Sequence, residues 1–305
     1  MTLLGRWLTG HPRLSALLAS VFIAASGIIY RQSGVTPETA SFFRAFYGLP
    51  LLVLVALLER RRSTPLPTRA RIAAIVAGVF FAGDLAFWHH AIDAVGAGLA
   101  TVLGNLQVVI VAIAAWLFFG ERPAARTLAA LPVILAGVVL ISGIVGADAY
   151  GRDPLLGEAL GLLTAAAYAG YLLIIRPVAR LRLAEPVAIS TASTAVVGLV
   201  IGLALGRLDL VPSWPEHGWL LLLGVTAQSI AYLLISISLP RLPAVITSII
   251  LLAQPVLAVF LSMLLINETP SVAQLAGVGM VIGGIALATV PIHRLRRRLT
   301  PATTP

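Results

Sequence analysis

Residues 98–123 read GLATVLGNLQVVIVAIAAWLFFGERP. A bilayer is crossed by about 20 mostly apolar residues in a helix, and this run is long enough, yet it carries an amide pair, Asn105 and Gln107, at its middle. A second run, Ala244 to Pro270, places Gln254 at the same distance from a similar ending, INETP. Together the two runs decide the fold: the chain is made of membrane spans, and the spans repeat.

The rest of the chain agrees. Its 305 residues are 59% hydrophobic and 11% charged, with a mean hydropathy of +1.00. A soluble domain is roughly half apolar and about a quarter charged, so the composition implies membrane integration. Cysteine is absent, which excludes disulfides, thiolate metal sites, iron–sulfur clusters and cysteine nucleophiles. All 21 basic residues are arginine and the net charge is +9. Most of them fall in short links between apolar runs, the pattern of membrane topology rather than of nucleic-acid binding. Leu14 to Tyr30 has no small-residue cleavage site leading into a soluble domain and reads as the first span, not a signal peptide.

Ten spans are predicted, at 13–30, 39–58, 70–91, 97–118, 125–144, 156–175, 185–206, 217–238, 244–265 and 272–291. Alternate links divide the arginines seventeen to three, with Arg31, Arg152 and Arg207 on the poorer side and Arg44 inside a span. The positive-inside rule then puts both termini in the cytoplasm. Shifting the sequence by 147 residues lays Glu121 and Pro123 on Glu268 and Pro270, Gln107 on Gln254, Gly137 on Gly284 and Glu38 on Glu185. Five spans separate each residue from its mate, and an odd number inverts the second copy. The expected fold is all-α: two inverted five-helix repeats, 1–146 and 147–292, followed by a short basic tail, 293–305, resting on anionic lipid. Inverted repeats of this kind are a mark of secondary transporters, with the site near the midplane between the halves.

The stretch AIDAVGAGLATVLGNLQVVIVAIAAWLFFGERPAARTLAALPVILAGVVLIS resembles the signature of the drug/metabolite transporter superfamily in its EamA-type branch, and SISLPRLPAVITSIILLAQPVLAVFLSMLLINETPSVAQLAGVGMVIGGIALAT resembles the same stretch repeated. The likeness extends over essentially the whole chain. It implies a ten-helix carrier that exports small metabolites, and FWHHA is similar to the aromatic amino-acid exporters of that superfamily. Such stretches often carry a proline after the mid-span polar residue. Pro255 fits and Val108 departs, which leaves a kink in span 4 without its proline.

Polar residues inside spans supply the candidate site. Gln107 and Gln254 lie about ten residues into their spans, near the bilayer centre at ~1.5 Å rise per residue. Each either lines a cavity or bonds a neighbouring helix. Asn105 lies ~160° round the helix from Gln107. Span 3 reads FFAGDLAFWHHAIDAV and combines Asp84, Trp88, His89 and His90. A charge at mid-membrane is costly and turns to a cavity or partner. Arg44 sits at similar depth, so two readings stand: an Arg44–Asp84 ion pair, or Arg44 presenting its planar fork to a substrate carboxylate while Asp84 or His89 handles an ammonium or a coupling proton. Tyr168 and Tyr171 share a helix face, and Gln228 and Tyr232 lie mid-span in span 8; these four complete the expected substrate-binding set. Adjacent histidines diverge on a helix, so no metal site is expected. Trp7, Trp214 and Trp219 fall at expected interfaces. Gly157–Gly161, Gly198–Gly202–Gly206 and Gly279–Gly283 have the spacing that lets helices approach closely, the last pair within the bundle or between two copies.

These features predict a multi-pass carrier in a plasma membrane, the bacterial inner membrane by type, that acts by alternating access on amino acids, aromatic ones included. A broad exporter of lipophilic cations is the alternative. An intramembrane enzyme lacks support, because Gly-x-Ser-x-Gly, His-Glu-x-x-His and paired intramembrane aspartates are missing. No phosphate loop indicates ATP coupling, no filter-like run indicates a channel, and no cofactor or nucleic-acid partner is expected. The oligomeric state is open.

Overall fold

A computed structural model describes residues 3–61, 64–141, 153–266 and 270–289, and every regular element among them is helical. Glu268, Arg152 and the basic tail lie outside the described residues. The helices are α1 (Leu3–Gly10), α2 (Pro12–Ser33), α3 (Pro37–Arg60), α4 (Thr68–Asn105), α5 (Gln107–Phe119), α6 (Ala125–Ile141), α7 (Pro154–Ala179), α8 (Glu185–Ala204), α9 (Trp214–Leu223), a π-helical turn (Gly224–Ile230), α10 (Ala231–Ser238), α11 (Ala244–Leu251), α12 (Ala253–Ile266) and α13 (Val272–Thr289). Nine stretches among them are long and apolar enough to cross a membrane, and Ala125–Ile141 is a shorter apolar helix, which together match the ten expected spans.

Local chemistry sets the helix ends. Thr36 accepts the Thr39 N–H ahead of Pro37, and Asp153 accepts the Leu156 N–H ahead of Pro154; a capping oxygen followed by proline is a strong start signal. Gly34 and Gly120 close α2 and α5 at φ 66° and 67°, a conformation only glycine adopts cheaply.

Spans 3 and 4 are joined differently from the expectation of a separate link. Helical hydrogen bonding runs on from Thr68 to Asn105, but the neighbours along α7 reverse. Phe80 lies beside Gly170 and Ala94 beside Asp153, then Gly104 beside Thr164. The path therefore turns back between Ala94 and Gly104, and Thr68–Ala91 and Val102–Phe119 form two spans. Both spans 4 and 9 are broken inside the membrane, at Leu106 and Leu252. There the chain tightens to i→i−3 bonds, Leu106 N–H to Leu103 O and Leu252 N–H to Ile249 O. Pro255 has no N–H for the Leu251 carbonyl, which explains the second break. The first forms without proline, after Gly104 and Asn105, both weak helix formers. Pro50, Pro132 and Pro177 all lie within continuous helices.

α3 packs on α8 and on the π-helical turn, α4 on α7 and α8, α6 on α13, and α2 along α9 to α12. One apolar core joins Leu52, Phe81, Tyr171, Tyr232 and Leu251; a second joins Val108, Ile134, Ile249 and Val281. Outside them Phe118, Val196, Val200 and Leu264 are exposed, as lipid-facing residues are. Where α6 meets α13, a Cβ on Gly277 would lie 2.6 Å from the Gly137 carbonyl, while Gly284 abuts Ile134 and Ala130. The expected close-packing pair Gly279 and Gly283 has nothing within 4 Å; the neighbouring Gly277 and Gly284 make the approach instead.

Candidate functional site

Arg44 lies two turns into α3, ~10 Å from its start at 1.5 Å per residue, and is 9% exposed. Its Nε donates to Gln228 Oε1 at 3.3 Å and a terminal nitrogen donates to the Ala227 carbonyl at 3.4 Å. The guanidinium stands 5.7 Å over the Phe81 ring, a cation–π arrangement. Gln228 belongs to the π-helical turn, where the Ala231 N–H reaches back five residues to Thr226. Turns of this kind are frequent at functional sites because they re-aim side chains that a regular helix would bury elsewhere. Glycines bring the turn against α3: a Cβ on Gly48 would meet Gln228 Cγ at 2.7 Å, and one on Gly224 would meet the Gly48 nitrogen at 2.9 Å.

Around Arg44 the structure gathers most of the expected residues. Phe81, Tyr171 and Tyr232 form a ring cluster with centroids 4.8–5.5 Å apart, and Tyr168 stacks on Tyr171 at 6.2 Å. Asp84 is half-buried. No ion pair within 4.0 Å joins it to Arg44; the ion pairs among the described residues involve Glu121 and Glu185. His89 is buried, with Nδ1 3.1 Å from Ser41 Oγ and its ring against Trp88 and Tyr30. Arg44, Trp88 and His89 line a cavity of about 290 Å³, partly open, with Ser26, Tyr30 and Ser41.

The two glutamines of the opening comparison are not brought into this group. Gln107 is the first residue of α5 and Gln254 the second of α12, each just past the break in its span. Gln107 is 3% exposed and its Oε1 is buried without a hydrogen-bond partner, whereas Gln254 is half-buried. Among the described residues neither bonds to Arg44, Gln228 or the tyrosines. Phe81, Ser41, Thr191 and Tyr30 join the site beyond the expected set; Phe81 and Thr191 are signalled by the internal offset of 147 residues, which relates them to Gln228 and Arg44, and Ser41 and Tyr30 by nothing in the sequence.

At the arginine-rich end the helices are tied together. Glu59 at the end of α3 accepts the N–H groups of Leu183, Ala184 and Glu185 at 2.8, 3.0 and 3.1 Å, capping α8. Glu121 accepts the Ala244 N–H at 3.0 Å and pairs with Arg176 at 2.6 Å. Arg176 also donates to the Leu239 and Leu242 carbonyls at 3.1 and 2.9 Å. The cavity lined by Arg44 and a neighbouring one lined by Glu38 lie towards the other end.

Such a bundle, apolar outside and polar at a buried arginine, defines a multi-pass membrane transport protein. The chain belongs to the EamA-like transporter family, whose model matches residues 13–143 and again residues 155–290. Its relatives include an uncharacterized protein, PA1977, of Pseudomonas aeruginosa, 27% identical over 91% of this chain and 94% of the relative. Another is the uncharacterized transporter YdfC of Bacillus subtilis, 25% identical over 94% of this chain and 92% of the relative. A solved crystal structure with 21% identity superposes at a TM-score of 0.81 over 92% of this chain and 98% of that one, which shows a shared fold.

Proposed function

We propose that this transporter exports small amphipathic zwitterions, foremost amino acids with aromatic or other bulky apolar side chains, by alternating access. The observation that carries the reading is Arg44. Its buried guanidinium holds two neutral acceptors at 3.3 and 3.4 Å and, among the described residues, has no carboxylate within 4.0 Å. A substrate carboxylate supplies the bidentate partner that such a fork suits. Tyr30 and Trp88, which line the cavity with Arg44, offer aromatic surface for an apolar side chain. Asp84 takes the ammonium, and His89 is the candidate for a coupling proton.

Two inverted halves, 1–146 and 147–292, make the alternation. Support comes from the double match of the family model, from breaks at Leu106 and Leu252, within one residue of exact correspondence, and from reciprocal contacts between Gly137 and Gly277 and between Gly284 and Ala130. In this arrangement both termini and the arginine-rich end face the cytoplasm of a bacterial cell. The Glu59 and Arg176 ties then close the cytoplasmic end, and rocking of the halves exchanges that closure for closure at the other.

A second reading, export of lipophilic cations, draws on Asp84, which has no cationic partner within 4.0 Å among the described residues. Counterflow of labelled phenylalanine and of tetraphenylphosphonium in proteoliposomes separates the two. Replacing Arg44→Gln is expected to cut phenylalanine exchange about tenfold or more, the worth of a charge-assisted hydrogen bond of ~1.5–3 kcal/mol, and to leave the cation less affected. Undiminished phenylalanine exchange in that variant rejects the carboxylate role.

A further inference from the structure

A second cavity lies beside the Arg44 group, not over it. It is partly open, lies between α3, α4 and α8, and is lined by Glu38, Ser41, His89 and His90 with Leu85, Ile201 and other apolar residues. Ligand sites are mostly apolar with a few placed polar groups. Glu38 is 7% exposed, and both of its carboxylate oxygens are buried with no hydrogen-bond partner. The positive end of the α3 dipole favours its charge but provides no hydrogen bond to it.

Comparison at the internal offset of 147 residues shows why this carboxylate stands alone. Its counterpart, Glu185, has one oxygen 3.6 Å from Arg60 and 4.0 Å from Arg71, while its other oxygen has no hydrogen-bond partner. The residue corresponding to Arg71 is Gly218, so one of the two cations has no equivalent in the second half. The residue corresponding to Arg60 is Arg207, whose side chain is exposed and makes no ion pair with Glu38. What is an ion cluster at the arginine-rich end is, at the other end, a carboxylate with no cation within 4.0 Å among the described residues, on a side chain that lines a cavity with an apolar wall. We propose that Glu38 binds the ammonium group of an amphipathic amine in this cavity, as a second substrate site separated from the Arg44 cavity by the Ser41–His89 pair, which lines both. The apolar wall takes the body of the ligand, and His89 and His90 border the charged end. The proposal rests on the carrier reading for the identity of its ligand.

The test is calorimetric titration of the purified full-length chain in detergent with 2-phenylethylammonium and with 3-phenylpropionate, which share a ring but carry opposite charge. Glu38→Gln is expected to weaken the amine about tenfold or more and to leave the carboxylate within about twofold; Arg44→Gln is expected to do the reverse. Ala86→Leu, which narrows the cavity without touching the carboxylate, is expected to weaken the amine as well. Amine affinity unchanged in folded Glu38→Gln overturns the site. Carboxylate affinity unchanged in Arg44→Gln, with the Glu38 effect intact, overturns the proposed transport reading instead. On the unmodified chain, dicyclohexylcarbodiimide is expected to label Glu38 and 2-phenylethylammonium to protect it, as read by peptide mass spectrometry; labelling that the amine does not slow also overturns the site.

Discussion

Arg44 and Thr191, 147 positions apart, hold opposite ends of one amide: Arg44 Nε donates to Gln228 Oε1 at 3.3 Å, and Gln228 Nε2 donates to Thr191 Oγ1 at 2.9 Å. Phe81, under the guanidinium, and Gln228 itself are separated by the same 147 positions. α3 and α8 are thereby clamped to a single side chain of the π-helical turn. With both ends of the amide engaged, its orientation is fixed, and so is the place where the guanidinium waits.

Gln228→Leu removes the acceptor from a buried guanidinium and the donor from Thr191, at a cost of ~1–3 kcal/mol. The thermal unfolding midpoint in detergent is expected to fall, and phenylalanine exchange with it. Gln228→Glu behaves differently: it gives Arg44 an internal carboxylate that competes with substrate. That variant is expected to unfold no lower than the unmodified chain yet to exchange phenylalanine more slowly. Exchange at the original rate would show that the guanidinium does not contact the substrate.

Gly48 and Gly224 permit the close approach on which the clamp depends. In Gly48→Ala the new methyl lies 2.7 Å from Gln228 Cγ and 3.0 Å from the Gly224 carbonyl. Backbone does not yield as a flexible side chain does, so overpacking is expected to cost ~1–3 kcal/mol. Chemical unfolding in detergent should show it, and Gly279→Ala, with nothing within 4 Å, is the neutral control.

Arg176 closes the arginine-rich end by tying Glu121 to the Leu239 and Leu242 carbonyls. The chain has no cysteine, so one introduced at the fully buried Leu239 reports opening there without background. Arg176→Met is expected to speed modification of Leu239→Cys by a membrane-impermeant maleimide in inside-out vesicles. An unchanged labelling rate would mean that the ion cluster does not hold that end shut.

Inverted topology has its own check. Arg61→Cys and Arg207→Cys lie at opposite ends of the bundle; in intact bacteria the second is expected to react with the impermeant maleimide and the first only after lysis. Labelling of both from one side would remove the inverted arrangement.

Much of this architecture is written in the sequence. Ten apolar runs of spanning length leave few alternatives, because a backbone in lipid must satisfy its own hydrogen bonds and does so as helix. The offset of 147 residues is equally legible, since Glu121, Gln107, Gly137 and Glu38 recur with their mates. Arg44 and Asp84 stand out for a similar reason: charge inside a span is rare and expensive.

What the sequence alone determined, then, is which residues are forced into the membrane and which of them are polar. Their partners were decided by tertiary structure. Arg44 faces Gln228, not Asp84, because a π-helical turn and two glycines bring that amide against α3. Span 4 breaks at Leu106 without proline. Glu38 has no cation within 4.0 Å among the described residues, while one oxygen of Glu185, its match in sequence, lies near two arginines. Helical periodicity fixes the face a side chain occupies, but the neighbour across that face depends on the register and spacing of a helix elsewhere in the chain, and hydrogen bonds of a few ångströms are made or lost on that register.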